Sequence, residues 1–173
     1  MEKLKKRKLW LTAGIPGLGK STWIQKHKNF FPGKVRVISR DEIRFSLLKE
    51  GEDYFSHEKE VWWEYVNKTK AALELSDNVI LDATHLNEAS RAKILRALGS
   101  SLKDVEVNII LFKGSVNTAI KRNNLREGLS YVPESAIRRM SYQVTTPSRN
   151  EGFDNIYIVN VDKNDEIIKK EGD

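Results

Sequence analysis

Eight consecutive residues, Gly14-Ile15-Pro16-Gly17-Leu18-Gly19-Lys20-Ser21, satisfy the pattern G-x-x-x-x-G-K-[ST] directly after the apolar run Lys8 to Ala13. The pattern binds phosphate for a physical reason. Gly14, Gly17 and Gly19, with Pro16 among them, let the backbone curl with its N–H groups turned inward, and a following helix offers its positive end to an anion. Lys20 is placed to neutralise the β- and γ-phosphates of ATP or another nucleoside triphosphate, and Ser21, followed by Thr22, to offer a hydroxyl to Mg²⁺. Ordinary composition would produce this string by chance in roughly 0.6% of chains this long.

A second constellation lies at Ser39-Arg40-Asp41-Glu42-Ile43-Arg44. A parallel α/β sheet turns the carboxyl ends of its strands toward the ligand crevice, which brings Asp41 near a bound triphosphate. If a helix begins there, Asp41 and Arg44 share one face a turn apart. The carboxylate can then accept a hydroxyl proton while the guanidinium offers a planar fork to a neighbouring phosphate. The plainer reading is a surface ion pair at a helix start.

The run Val79-Ile80-Leu81-Asp82-Ala83-Thr84 sets a further carboxylate and hydroxyl at the sheet edge. Asp82 reads equally as a Mg²⁺-side ligand or as the cap of a following helix, whose boundary is marked by Asn87 and Glu88. His27, His57 and His85 show no metal-ligand spacing, so zinc is not expected and His85 reads as structural. Lys121, Arg122 and Arg126 fall on a helix expected to end before Gly128, with Arg122 and Arg126 on one face. Such like charges repel unless an anion lies between them. A segment carrying them over the phosphates would stabilise charge and exclude water.

The elements that must position these residues are legible in the periodicity. Short β-rich runs at Lys8–Ala13, Lys34–Ser39, Asn78–Leu81, Val105–Phe112 and Ile156–Val161 alternate with helical patterns, the signature of a parallel sheet wrapped by crossover helices. Val61, Trp62, Tyr65, Val66, Thr69 and Leu73 form one helical stripe in which Trp62 and Trp63 read as core sooner than as base-stacking residues. Ile137, Met140 and Val144 mark a later helix opened by Pro133 and stopped by Pro147. The tail after Asp162 reads as solvated.

Composition bounds the rest. The 173 residues allow one core, so residues 1–173 are expected to form a single domain. Thirty Lys and Arg against 24 Asp and Glu give a net charge of +6, a modest lean toward a polyanionic partner. The absence of cysteine removes disulfides, thiolate metal sites and cysteine nucleophiles. The basic opening Met1 to Lys8 is followed by an apolar stretch that Gly14 and Pro16 cut short, so no targeting segment is read. No apolar run reaches the roughly 18 residues of a membrane span, which makes a cytoplasmic protein with no membrane partner the default expectation.

Taken together, GIPGLGKSTW (Gly14 to Trp23), RDEIR (Arg40 to Arg44), THLN (Thr84 to Asn87) and KRNNLREG (Lys121 to Gly128) with Val132-Pro133 resemble, in order, the blocks of phage T4-type polynucleotide 5′-kinase domains. The resemblance implies a P-loop NTPase/kinase fold, a five-stranded parallel sheet flanked by helices with a helical lid at about residues 115–145. It also implies transfer of the γ-phosphate of ATP to the 5′-hydroxyl of RNA or DNA. Asp41 would be the general base, Arg44 would hold the acceptor's 3′-phosphate beside Thr84 and Asn87, and Arg126, with Arg122, would meet the donor phosphates. That family's relatives carry a D-x-D-G-T phosphatase block; here the chain reads Val161-Asp162-Lys163-Asn164-Asp165, so no phosphatase activity is expected. Two other readings share the loop: a kinase for a small-molecule or modified-base hydroxyl, and a nucleotide-hydrolysing switch.

Overall fold

The computed structural model describes residues 5–171. Six strands form one sheet, β1 Arg7–Ala13, β2 Val35–Ser39, β3 Asn78–Asp82, β4 Val105–Lys113, β5 Asn155–Asn160 and β6 Glu166–Lys169, in the spatial order β2-β3-β1-β4-β5-β6. The first five are parallel, as expected from their apolar runs. The sixth pairs antiparallel with β5, Ile168 opposite Ile158 and Ile167 opposite Val159. The sheet thus has six strands where the sequence suggests five, and the tail after Asp162 forms an edge strand where a solvated end is expected. Only Ile167 and Ile168 interrupt the polar stretch, and the tight turn before them uses Asn164 and Asp165 at φ 54° and 57° instead of a glycine, so neither strand nor turn announced itself.

Alternate residues of the central strands feed two cores, one on each face of the sheet. Leu9, Leu11, Val79, Leu81, Ile109 and Leu111 pack against α3 Glu58–Leu75 and α4 Glu88–Leu98, through Val61, Tyr65, Leu73, Ile94 and Leu98. Trp10, Ile80, Ile110 and Phe112 pack on the opposite side against α1 Lys20–Lys26, α5 Val116–Asn123 and α6 Glu134–Ser141. Burial on both faces is why these strands read as continuous apolar runs and not as alternating ones. The remaining helix, α2 Arg40–Leu47, follows β2 and packs against α3.

The stripe on α3 buries Val61, Tyr65, Val66, Thr69 and Leu73, but Trp62 is only half-buried and Trp63, expected in the core, is 67% exposed because it points away from the sheet. The later helix is shorter than expected. It stops at Ser141, where the Tyr142 N–H turns back to the Arg139 carbonyl, and Thr145 N–H pairs with the Leu86 carbonyl instead of continuing the helix. Val144 still packs on the core, which is why it kept an apolar signal.

One buried charge pair ties this returning segment to α4. Arg91, fully buried, makes two hydrogen bonds to Glu151 at 2.7 and 3.2 Å and three more to the His85 carbonyl and to the carbonyl and hydroxyl of Thr145. Removing one member leaves the other charged and dry. Arg91→Leu should therefore lose about 3–5 kcal/mol in urea denaturation, and a loss under about 1 kcal/mol would contradict the pairing.

Candidate functional site

The loop between β1 and α1 closes under steric constraint. Gly14 sits at φ 142° and Gly17 at φ 90°, and an added Cβ would lie 2.8 Å from the Phe112 carbonyl at the first and 2.3 Å from the Ala119 carbonyl at the second. Only glycine fits at either place. The loop is further fixed by a hydrogen bond from the Gly14 N–H to the Thr84 carbonyl, which joins it to the end of β3.

Lys20, the first residue of α1, points into this loop and donates to the carbonyls of Gly14 at 2.8 Å and Ile15 at 2.9 Å. Burial lowers its ammonium to about 8; Asp82 pulls the value back up, Arg126 lowers it further and Asp41 raises it. Three side chains from three separate segments thus act on the charge of Lys20. The sheet explains why: β2 and β3 pair with Ser39 opposite Asp82, and β3 pairs with β1 with Leu81 opposite Leu11, so all three strands end at one edge.

Ser21 donates to Asp82 Oδ2 at 2.6 Å. Two hard oxygens side by side at the loop fit Mg²⁺, which takes oxygen ligands and keeps several waters. Asp82 does not cap the next helix, because Asn87 does: its side chain accepts from the Ser90 N–H at 2.9 Å and Ser90 returns the bond. Thr84 reaches the loop through its backbone, and Thr22 follows Ser21 on α1 in an exposed position. Among the described residues no group of three or more His, Cys, Asp or Glu side chains gathers around a metal position. His85 is buried, with Nδ1 against the Thr12 carbonyl and Nε2 against the Tyr65 hydroxyl, and burial lowers it to about 4, so the ring is neutral and structural.

At the far side of the cleft, Ser39 caps α2 by accepting from the Glu42 N–H. Asp41 and Arg44 do form the ion pair that their spacing suggests, but the pair is lopsided: the Asp41 side chain is 61% exposed and that of Arg44 only 8%. Arg44 is held from below by Glu58, Nε to Oε1 at 2.7 Å and Nη2 to Oε2 at 3.1 Å. Its Nη1 donates to Asp41 Oδ1 and to the Tyr54 hydroxyl, which itself donates to Asp41 Oδ1 at 2.9 Å. Burial works to raise Glu58, yet the hydrogen bonds and charge of Arg44 hold it below the usual carboxylate range. Four of the five N–H donors of Arg44 are thereby engaged by protein. Tyr54 and Glu58 were not foreseen. Tyr54 lies in the aperiodic stretch after Gly51, and Glu58 reads only as an acidic first turn of α3.

The arginines beyond α5 need a correction. The helix ends at Asn123, so Arg126 does not share a helical face with Arg122. Asn123 is buried and pairs with both backbone groups of Val132, which folds the chain back as tight turns at Leu125 and Arg126. Arg122 nevertheless reaches the loop, Nη1 to the Leu18 carbonyl at 3.3 Å, and Arg126 faces Lys20 closely enough to lower it. No helix among the described residues is long and apolar enough to cross a membrane.

A family model described as an AAA domain matches residues 9–147. No curated protein matches by sequence. Among solved structures, a chain of the PezAT chromosomal toxin–antitoxin system of Streptococcus pneumoniae superposes with a TM-score of 0.66 at 18% identity, over 96% of this chain and 72% of that one. Kti12 of Chaetomium thermophilum, in complex with ADP-AlF3, gives 0.65 at 15% identity, over 88% of each chain. A chain of the Pnkp1/Rnl/Hen1 RNA repair complex gives 0.65 at 22% identity, over 98% of this chain and 50% of that one, so the present chain spans half its length. At such identities the likeness is one of fold, an α/β kinase-like fold around a nucleotide-binding P-loop.

Two outcomes follow for the loop. Gly17→Ala should displace the loop from Ala119 and lower ATP affinity at least tenfold by calorimetry; unchanged affinity would show that the loop does not need this approach. Because phosphate prefers the ammonium form, affinity for ATP should be flat below pH 8 and fall about tenfold per unit above it. The folding term has its own sign: the value is lowered in the folded state, so this residue's contribution to stability rises with pH between about 8 and 10.5. Affinity independent of pH up to 9.5 would exclude Lys20 from the phosphate contact.

Proposed function

The chain belongs to the AAA-domain family, matched over residues 9–147, and from that premise we propose that it is an ATP-dependent phosphotransferase acting on the 5′-hydroxyl end of RNA or DNA. The observation that carries this reading is Asp41: an exposed carboxylate, braced at one oxygen by Tyr54 and Arg44, within electrostatic reach of the buried Lys20. Against a hydrolysing switch, Asp82 is followed by Ala83 and not by the second acid common in ring ATPases. The order of the T4-type blocks and the net charge of +6 favour a polynucleotide over a small hydroxylated acceptor.

In this mechanism the acceptor hydroxyl gives its proton to Asp41 Oδ2, the oxygen left free by Tyr54 and Arg44. The hydroxyl oxygen forms a bond to the γ-phosphorus in line with the bond to the bridging oxygen, which breaks and leaves its electron pair on ADP. Lys20 and Arg126 offset the charge that builds on the transferring group, and Arg122 steadies the loop at Leu18. Ser21 and Asp82 would hold Mg²⁺, whose charge would screen the donor phosphates from the attacking oxygen. Residues 115–145 serve as the lid that brings Arg122 and Arg126 over the donor, within one domain spanning residues 1–173. Arg44 orients Asp41 and turns its remaining N–H toward the acceptor's 3′-phosphate, with Thr84 and Asn87 lining the same side.

Incubation with γ-labelled ATP and Mg²⁺ should label 5′-hydroxyl oligonucleotides in preference to nucleosides and sugars. Label recovered only as inorganic phosphate, or only on a small acceptor, would overturn the assignment. Asp41→Asn should lower kcat about 10²- to 10⁴-fold with ATP affinity within about twofold, whereas Tyr54→Phe, which keeps the carboxylate, should cost about tenfold. An Asp41→Asn variant with full turnover removes the base from the mechanism.

A further inference from the structure

A groove runs away from the cleft along the outer surface between α3 and α4. Lys59, Trp62, Trp63, Val66, Asn67 and Lys70 of α3 line it, spaced at three and four residues so that all fall on one stripe, with Ala97 of α4 opposite and a volume of about 460 Å³. Among the described residues no acidic side chain lines it. Lys93 of α4 lies over the Trp62 ring at 4.3 Å, adding a third lysine at its margin. Trp63 is 67% exposed, an uncommon state for the largest apolar side chain. The acidic residues Glu60 and Glu64 of α3 stay off the stripe, and Glu64 is taken up by Lys68.

The groove is joined to the cleft by a row of contacts. Arg40 lies over Trp62 at 5.4 Å and meets Glu58 at 3.5 Å, and Glu58 holds Arg44, which holds Asp41. From Glu58 to Lys70 the helix spans about 18 Å, long enough for several stacked nucleotides at about 3.4 Å each. Flat aromatic surface flanked by three lysines, with the α3 acids Glu58 and Glu64 paired to Arg44 and Lys68 and Glu60 at its edge, complements a single strand that offers base faces and phosphates alternately. An acidic peptide would find the cations but leave the Trp63 face without a partner; an apolar one would leave the lysines unmatched.

We infer that the α3–α4 groove binds the acceptor strand downstream of its reacting 5′ end, Trp63 stacking on a base while Lys59, Lys70 and Lys93 meet the phosphates. The identity of the occupant rests on the polynucleotide reading above, but the groove can be tested apart from transfer. Single-stranded 12-mers of RNA and DNA that already carry a 5′-phosphate cannot react, and fluorescence anisotropy of labelled versions reads their binding to the full chain.

Trp63→Ala should weaken binding about tenfold and Trp63→Phe should restore most of it. Lys59→Ala and Lys70→Ala should each reduce the slope of log affinity against log salt by about 0.7. In the kinase assay, Trp63→Ala should shrink the preference in kcat/KM for a 12-mer over a nucleoside 3′-monophosphate. Binding unaffected by Trp63→Ala, with salt slopes unchanged in the lysine variants, overturns the groove while leaving transfer intact. Loss of binding on Trp63→Ala in a protein that labels no oligonucleotide sustains the groove and overturns the transfer reading instead. Self-association in place of strand binding, abolished by Trp63→Ala, assigns the surface to a second copy and also overturns the inference.

Discussion

The backbone ladder of β1, β2 and β3 is the constraint from which the site follows. Parallel strands in register must end together, and the segments leaving them must start together. With Ser39 opposite Asp82 and Leu81 opposite Leu11, three departures crowd one edge: the glycine loop, the cap of α2 and the Asp82–Thr84 turn. Lys20, Asp82 and Asp41 come within one another's field because of that ladder, although they are 21 or more residues apart in sequence. The two apolar layers on either face make the edge rigid enough to keep them there.

Electrostatics then divide the cleft into two halves with opposite logic. On the donor side a cation is buried among carbonyls, and burial, against the pull of Asp82, lowers Lys20 to about 8, so it stands ready for a ligand more anionic than its own loop. On the acceptor side the cation is the scaffold and the anion is displayed: Arg44 is sealed in by Glu58 and Tyr54, and Asp41 faces out. Under the proposed transfer, a phosphate would find its charge partner in the first half and a hydroxyl its proton acceptor in the second. The cost is a charged lysine held without full hydration at neutral pH, and protein sites commonly carry such a cost where they bind or react.

Much of this was legible in the residues alone. The loop carries its own steric signature, five strands stand out, four of them as unbroken apolar runs, and α3 follows its 3.6-residue period at its buried positions. Asp41 was placed at the crevice by chain order. What stayed hidden depends on long-range partners or on turns without glycine. Glu58 is one acidic residue among several until α3 folds back beside α2 and sets it under Arg44. The end of α5 is set by Asn123 bonding to Val132 nine residues later, which no local propensity encodes, and so Arg126 looked helical. The β6 edge strand is four residues long and half polar, below the length at which alternation carries information.

The central claim is that donor and acceptor meet in one cleft and exchange phosphate directly, with Asp41 taking the proton and no side chain carrying the phosphoryl group. The stereochemistry at phosphorus tests it most directly, using ATP made chiral at the γ-position by oxygen isotopes and sulfur, and a 5′-hydroxyl oligonucleotide. A single in-line displacement inverts the configuration, and inversion is the predicted result. Retention would require two displacements through a phosphorylated residue and would contradict the account.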